Sequence, residues 1–233
     1  MKAIVTAITF LCLAAICIGA PPPGGSGQRI RTSTSLPLGQ AGAAGGTTQL
    51  GADPFTRMDE TPLGGAWLLV GTTSGNFNLS GNALVPANLA LDATFYFSTV
   101  TWPNDQYVQA KLTVTGTGGG TGPGVGVRLA NNGATTAGYR VCVSKAGSAN
   151  VVAHKMGGAD MTPTATVTWV DGDTLQVRCT GGATTTITAY QNGVLILTVT
   201  DSSSPVLSGN GGAAYSSTST AATIDDFAGG SVP

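Results

Sequence analysis

Tyr107-Val108-Gln109-Ala110-Lys111-Leu112-Thr113-Val114 decides the fold. Its apolar residues Val108, Ala110, Leu112 and Val114 fall at every second position, with Tyr107, Gln109, Lys111 and Thr113 between them. Successive side chains of an extended chain point to opposite sides, so this stretch buries one row and wets the other. A helix turning every ~3.6 residues would scatter the same apolar residues around its axis.

The alternation returns along the chain. Val125, Val127 and Leu129 repeat it, as do Tyr139, Val141 and Val143, then Leu175 and Val177, then Ile187 and Ala189. Phe77 and Leu79 run into Ser80-Gly81-Asn82 and then Ala83-Leu84-Val85, a hairpin signal. Asp171-Gly172-Asp173 opens another strand, and Gln191-Asn192-Gly193 turns the chain into the run from Val194 to Val199. No segment after residue 52 carries an apolar stripe at helical spacing. About eight to thirteen short strands so spaced predict an all-β, two-sheet antiparallel jelly-roll sandwich.

Composition agrees. Of 233 residues, 35 are Gly and 12 are Pro, and 9% are charged, well below an ordinary soluble domain. Yet 42% are hydrophobic, enough to build a core, so disorder does not describe the chain. The formal charge is −1, and the ten Lys and Arg residues are scattered rather than gathered in a stripe that could neutralise phosphates. Nucleic acid is excluded as an expected partner.

Ahead of the strands, Lys2 precedes an apolar run from Ala3 to Ala20, followed by Pro21-Pro22-Pro23-Gly24-Gly25. Residues 1–20 read either as a secretory signal peptide or as a membrane-anchor leader. Proline after Ala20 suits a signal peptidase poorly, and Ala14-Ala15-Ile16-Cys17 is only a weak lipoprotein box. Both readings export the remainder to the cell exterior, the cell surface or a virion surface, with membrane contact only through the leader. Residues 21–52 are rich in Gly, Ala and Pro and read as a linker, or as an assembly arm against copies of the chain or other subunits. Residues 53–233 are expected to form the sandwich, of a size that suits one domain.

Several pieces resemble a family. Asp53-Pro54-Phe55 with Arg57 and Asp59, then Leu63-Gly64-Gly65-Ala66-Trp67, is similar to the opening of concanavalin A-like, laminin G-like jelly-roll modules of bacterial secreted or phage-encoded type. The likeness runs through Asn104-Asp105-Gln106-Tyr107, Val125-Gly126-Val127-Arg128, Gly172-Asp173-Thr174-Leu175 and Tyr190-Gln191-Asn192-Gly193 to Ile224-Asp225-Asp226-Phe227. It implies architecture far more than activity. Glycosidases of this fold place two or three carboxylates in a short run on one strand, and no such run occurs here. The one Glu, Glu60, lies near the start of the domain, and Asp171 and Asp173 flank a turn glycine. The one His, His154, reads as a surface residue of its strand, so no catalytic residue is expected and the chain reads as no enzyme. Related jelly rolls hold structural calcium near strand ends. Asp53 and Asp226 would approach each other if the first and last strands pair, although no cofactor is required.

Cys142 and Cys179 fall in separate predicted strands, and export would permit a disulfide between them. Parity opposes it, since Cys142 falls on an outward row and Cys179 on an inward one. For ligand binding, the outward rows of three successive strands offer Tyr107 and Gln109, then Arg128, then Arg140, and Trp102 is the candidate exposed aromatic. Aromatic faces and planar polar groups suit sugars. The competing reading puts Trp102 over one end of the core and pairs the arginines with Asp. Trp67 and Trp169 read as core. The leading functional expectation is a non-catalytic extracellular module binding a glycan or cell-surface polymer. The alternative is a structural or decoration subunit of an extracellular or virion assembly, and a weaker one is a divergent glycoside hydrolase.

Overall fold

The alternating stretch lies in β6 (Gln106–Thr115), and Val108, Ala110, Leu112 and Val114 are all fully buried. The computed structural model describes residues 47–70, 76–88, 91–115, 122–132, 135–145, 147–216 and 221–233, all within the compact unit Ala41–Pro233. The leader and the arm as far as residue 46 lie outside the described residues.

Sheet A runs in the order β13 (Val194–Asp201), β12 (Thr185–Gln191), β11 (Asp173–Thr180), β6, β15 (Ala221–Ser231), β4 (Ala83–Pro86), β3 (Phe77–Ser80), with β1 (Thr48–Asp53) also on β15. Sheet B runs β10 (Ala165–Trp169), β9 (Gly147–Lys155), β8 (Thr135–Val143), β7 (Pro123–Asn132), β14 (Asn210–Tyr215), β5 (Ala93–Phe97), β2 (Trp67–Leu69). Neighbouring strands pair antiparallel, and among the described residues no helix is long and apolar enough to cross a membrane. The architecture is the two-sheet antiparallel jelly roll that the alternation predicts. β1 takes in Thr48 to Ala52, which the sequence reading leaves in the arm.

The core fills the space between the sheets. Phe77, Leu79, Val125, Val127, Tyr139, Val141, Val143, Leu175, Val177, Ile187 and Ala189 all face it, and Trp67 and Trp169 are buried there too. Each sits where strand alternation places it.

Three expectations about faces need correction. First, the chain passes from sheet A to sheet B between β6 and β7, so the outward rows of β6, β7 and β8 do not share one surface. Second, the register between β7 and β8 shifts between Val127 and Ala130, and Arg128 adopts φ 51°. This bulge uses one extra residue and reverses the parity beyond it. Leu129 therefore swings to the outer side of sheet B and fills the hollow over two glycines. A Cβ on Gly126 or Gly212 would stand only 2.7 or 2.8 Å from Leu129 Cδ1. Arg128 turns inward and is wholly buried. Third, Cys142 and Cys179 are free thiols on different sheets, so the disulfide does not form. Cys179 belongs to the core, whereas Cys142 shares the parity of Arg140. Burial pushes the Cys142 thiol up to about 11 and that of Cys179 to about 12.

Candidate functional site

The register of sheet A aligns Gln109 on β6, Gln176 on β11 and Tyr190 on β12 in one row, and Tyr107, Arg178 and Thr188 in the next. These residues alternate with the buried Val108, Ala110, Val177, Ile187 and Ala189, so the pleat sends them to the outer face. There they order one another. Gln176 Nε2 donates to Gln109 Oε1 at 3.0 Å, and Arg178 Nε donates to Gln176 Oε1 at 3.0 Å. The Arg178 guanidinium carbon stands 4.8 Å from the centroid of the Tyr190 ring, a cation–π contact between diagonal cross-strand neighbours. Gln109, Gln176, Arg178 and Tyr190 thus form a connected, half-buried line across three strands. Side chains fixed before a ligand arrives lose less freedom on binding it.

Tyr107 stands beside this line and is 6% exposed. Burial pushes its phenol up despite the opposing charge of Arg178. On the far side Lys111 Nζ meets Asp226 Oδ2 at 2.5 Å, and that hydrogen bond holds the ammonium above its usual range. Burial and the Asp226 charge push the Asp225 carboxyl up. The lysine's charge is therefore answered within the face.

Of the five sequence-predicted contacts, Tyr107 and Gln109 lie together here, and the other three lie elsewhere. Trp102, offered as the exposed aromatic, is 8% exposed and belongs to the core, as the competing reading has it. Its Nε1 donates to the Phe97 carbonyl at 2.9 Å, and its ring occupies a slot left by Gly211 on β14 and Gly229 on β15. A Cβ at either glycine would come within 2.5 or 2.6 Å of Trp102 Cη2. Arg140 lies on sheet B, 7% exposed, with Nη2 2.5 Å from Asp92 Oδ2 and its Nε unpartnered. Its neighbour across the strand, His154, holds Asp160 through Nδ1 at 2.7 Å.

Arg128, expected on an open face, is the centre of a clasp at one end of the sandwich. Its Nε donates to the Asn104 carbonyl at 2.8 Å. Nη1 donates to Thr185 Oγ1 and to the Val206 carbonyl, each at 2.8 Å. Nη2 donates to the Gly181 carbonyl at 2.7 Å and meets Asp105 Oδ1 at 3.3 Å. Its backbone N–H donates to Gln106 Oε1 at 3.1 Å, and Gln106 Nε2 donates in turn to the Pro103 and Gly209 carbonyls. Nearby, Asp201 accepts from Tyr139 Oη at 2.8 Å, Ser203 N–H at 3.1 Å and Lys155 Nζ at 2.7 Å. Burial opposes ionisation of Asp201, but these donors prevail and hold its carboxyl down at about 2.

The carboxylates are occupied structurally. Asp53 and Asp226 lie on strands that pair, as expected, with Asp53 opposite Phe227. Their side chains nevertheless do not converge on a cation. Asp53 points inward and accepts from Phe55 N–H, Arg57 Nη1 and Trp67 Nε1, whereas Asp226 lies with Lys111 on the outer face. Among the described residues no group of three His, Cys, Asp or Glu could hold a metal ion. Glu60 accepts from Arg57 Nε and Gly64 N–H, which draw its carboxyl down. Asp171 accepts from Val114 N–H at 2.8 Å. Asp173 accepts from Gln191, Asn192 and Val170, and against the cost of burial these donors lower its carboxyl.

Sequence reasoning missed Gln176, Arg178 and Tyr190. Their outward parity was readable from Leu175, Val177, Ile187 and Ala189. Their approach to Gln109 was not, because Gln176 is 67 positions away and reaches it only through the pairing of β11 with β6.

No protein-family model matches the chain. No curated protein matches it in sequence. Among solved structures it is similar to a carbohydrate-binding module from Bacillus subtilis, with a TM-score of 0.53 and 15% identity over 71% of this chain and 96% of that one. It is also similar to a structure described with endo-acting O-glycanases of the human gut microbiota that initiate mucin breakdown, with a TM-score of 0.54 and 10% identity. That match covers 80% of this chain and 100% of the other. At such identities the likeness shows the fold alone, a β-sandwich shared by carbohydrate-binding proteins.

Proposed function

We propose that this chain is a non-catalytic, exported β-sandwich that binds glycans on the outer face of sheet A. The observation that carries the reading is the ordered line Gln109, Gln176, Arg178 and Tyr190, which offers a sugar an aromatic edge beside amide and guanidinium donors. The likeness to a carbohydrate-binding module supports it at the level of fold. The engagement of Glu60, Asp171 and Asp173 in structural hydrogen bonds supports a binding role over hydrolysis. The full chain on a glycan array tests this: binding is expected, and Tyr190→Ala with Gln176→Ala should abolish it. Glycan binding that survives both substitutions would remove the site from this face.

A second reading, a subunit of an extracellular or virion assembly, is favoured by β13. This edge strand of sheet A has eight residues and no ionisable side chain before Asp201, and it exposes Val194 and Leu195. Self-association abolished by Thr198→Lys would support that reading; a monomer at all concentrations would count against it.

A further inference from the structure

Arg178 differs from the other described arginines in one respect. Arg57 is paired with Asp53 and Glu60, Arg128 with Asp105, and Arg140 with Asp92. Arg178 has no carboxylate partner among the described residues, and of its donors only Nε is engaged. Yet it is not a loose surface cation. The Nε bond to Gln176 holds one edge of the guanidinium, and its central carbon lies over the Tyr190 ring, 4.8 Å from the centroid. With both set, the outer edge carrying Nη1 and Nη2 has a defined direction. That edge presents two parallel donors whose spacing matches the two oxygens of a carboxylate.

Among the described residues no acid is paired with it. Asp226 is taken by Lys111, Asp173 by Gln191 and Asn192, and Asp171 by the Val114 amide. We propose that the ligand of this face is an acidic sugar, a uronic or sialic acid unit whose carboxylate is bound bidentately by Arg178. The proposal rests on the glycan-binding reading above and narrows it. A neutral sugar would use Tyr190 and the glutamines but leave the oriented charge unanswered.

Calorimetry on the full chain with matched pairs of oligosaccharides tests it: oligogalacturonate against its methyl ester, sialyllactose against lactose, and a sulfated against an unsulfated galactan. A charge-assisted bidentate pair should favour the carboxylated member of a pair by about tenfold to a hundredfold at low salt. Added salt should shrink the preference. Arg178→Gln should bring the acidic member down to the level of its neutral counterpart. Arg178→Lys, which keeps the charge and loses the fork, should recover only part. Equal affinity within the carboxylated pairs would overturn the proposal and leave the glycan-binding reading standing. Preference for the sulfated galactan over the carboxylated sugars would overturn the carboxylate assignment. Failure to bind any member would overturn the function along with the inference.

Discussion

Arg128, on β7 of sheet B, and Arg178, on β11 of sheet A, belong to one sandwich and meet opposite fates. Arg128 is 0% exposed, and every nitrogen of its guanidinium donates to an acceptor, three of them backbone carbonyls in the loops after β5, β11 and β13. Arg178 is half-buried on an open face and uses one nitrogen. A guanidinium carries five N–H donors and cannot shed its charge, so its surroundings must supply acceptors or leave it to solvent and ligands. Where the chain supplies all of them, the arginine is architecture. Where it supplies one, the arginine is oriented and available.

The largest effect should come from breaking the clasp. Arg128→Met leaves the carbonyls of Asn104, Gly181 and Val206 and the Asp105 carboxylate short of partners, so urea unfolding should show a loss of about 3–5 kcal/mol. A loss near zero would mean that the loops hold themselves. Next comes the Trp102 slot, which anchors the loop that Arg128 grips. Gly229→Ala drives a methyl to within 2.6 Å of Trp102 Cη2 and 2.7 Å of the Tyr107 carbonyl, an overpacking expected to cost about 1–3 kcal/mol. Combined with Trp102→Phe, the loss should be smaller than the sum of the two single losses.

Acid should weaken the clasp end through Asp201. Asp201 has its carboxyl held at about 2 in the folded state and returns to the ordinary carboxylate range when unfolded. Its contribution is complete above that ordinary range and is lost as pH falls toward 2, a change of about 2 kcal/mol for a side chain 5% exposed. Asp201→Asn should flatten that part of the stability curve between about pH 4 and pH 2. An unchanged acid limb would show that Lys155 and Tyr139 do not hold Asp201 as described.

The parts of this contrast that the sequence made legible are those governed by local parity. Val108 to Val114, Val125 with Val127, and Leu175 with Val177 alternate cleanly, and all face the core. Two kinds of information were absent. The bulge at Arg128 is one residue of left-handed backbone, set by the mismatch between β7 and β8, and nothing local marks it. It alone turns Arg128 from the outer face to the interior and Leu129 from the interior to the outer face. The neighbour of β6 is likewise a property of the whole sheet. Strands consecutive in sequence suggested Tyr107, Arg128 and Arg140 as one site, whereas the sheets place Tyr107 with Arg178. Trp102 belongs to the core, as the competing reading has it, but the slot that buries it could not be read, since it is made by two glycines, each more than a hundred positions away.

The smallest expected effect is also the one that separates the two arginines most directly. Arg178→Gln removes a cation–π contact with Tyr190 and one hydrogen bond to Gln176, both on a half-buried face where solvent can replace them. A cation–π contact at such a site contributes about 0.5–1 kcal/mol, and solvent can replace the single hydrogen bond. Unfolding in urea should therefore show a loss of no more than about 1 kcal/mol, several times less than for Arg128→Met. The glutamine amide can still reach Gln176, so the row should keep its order. A loss comparable to that at Arg128 would make Arg178 a structural element and remove the reason to regard its free edge as a docking group. A stability close to that of the unaltered chain, with a changed preference for acidic sugars, would assign the residue to recognition.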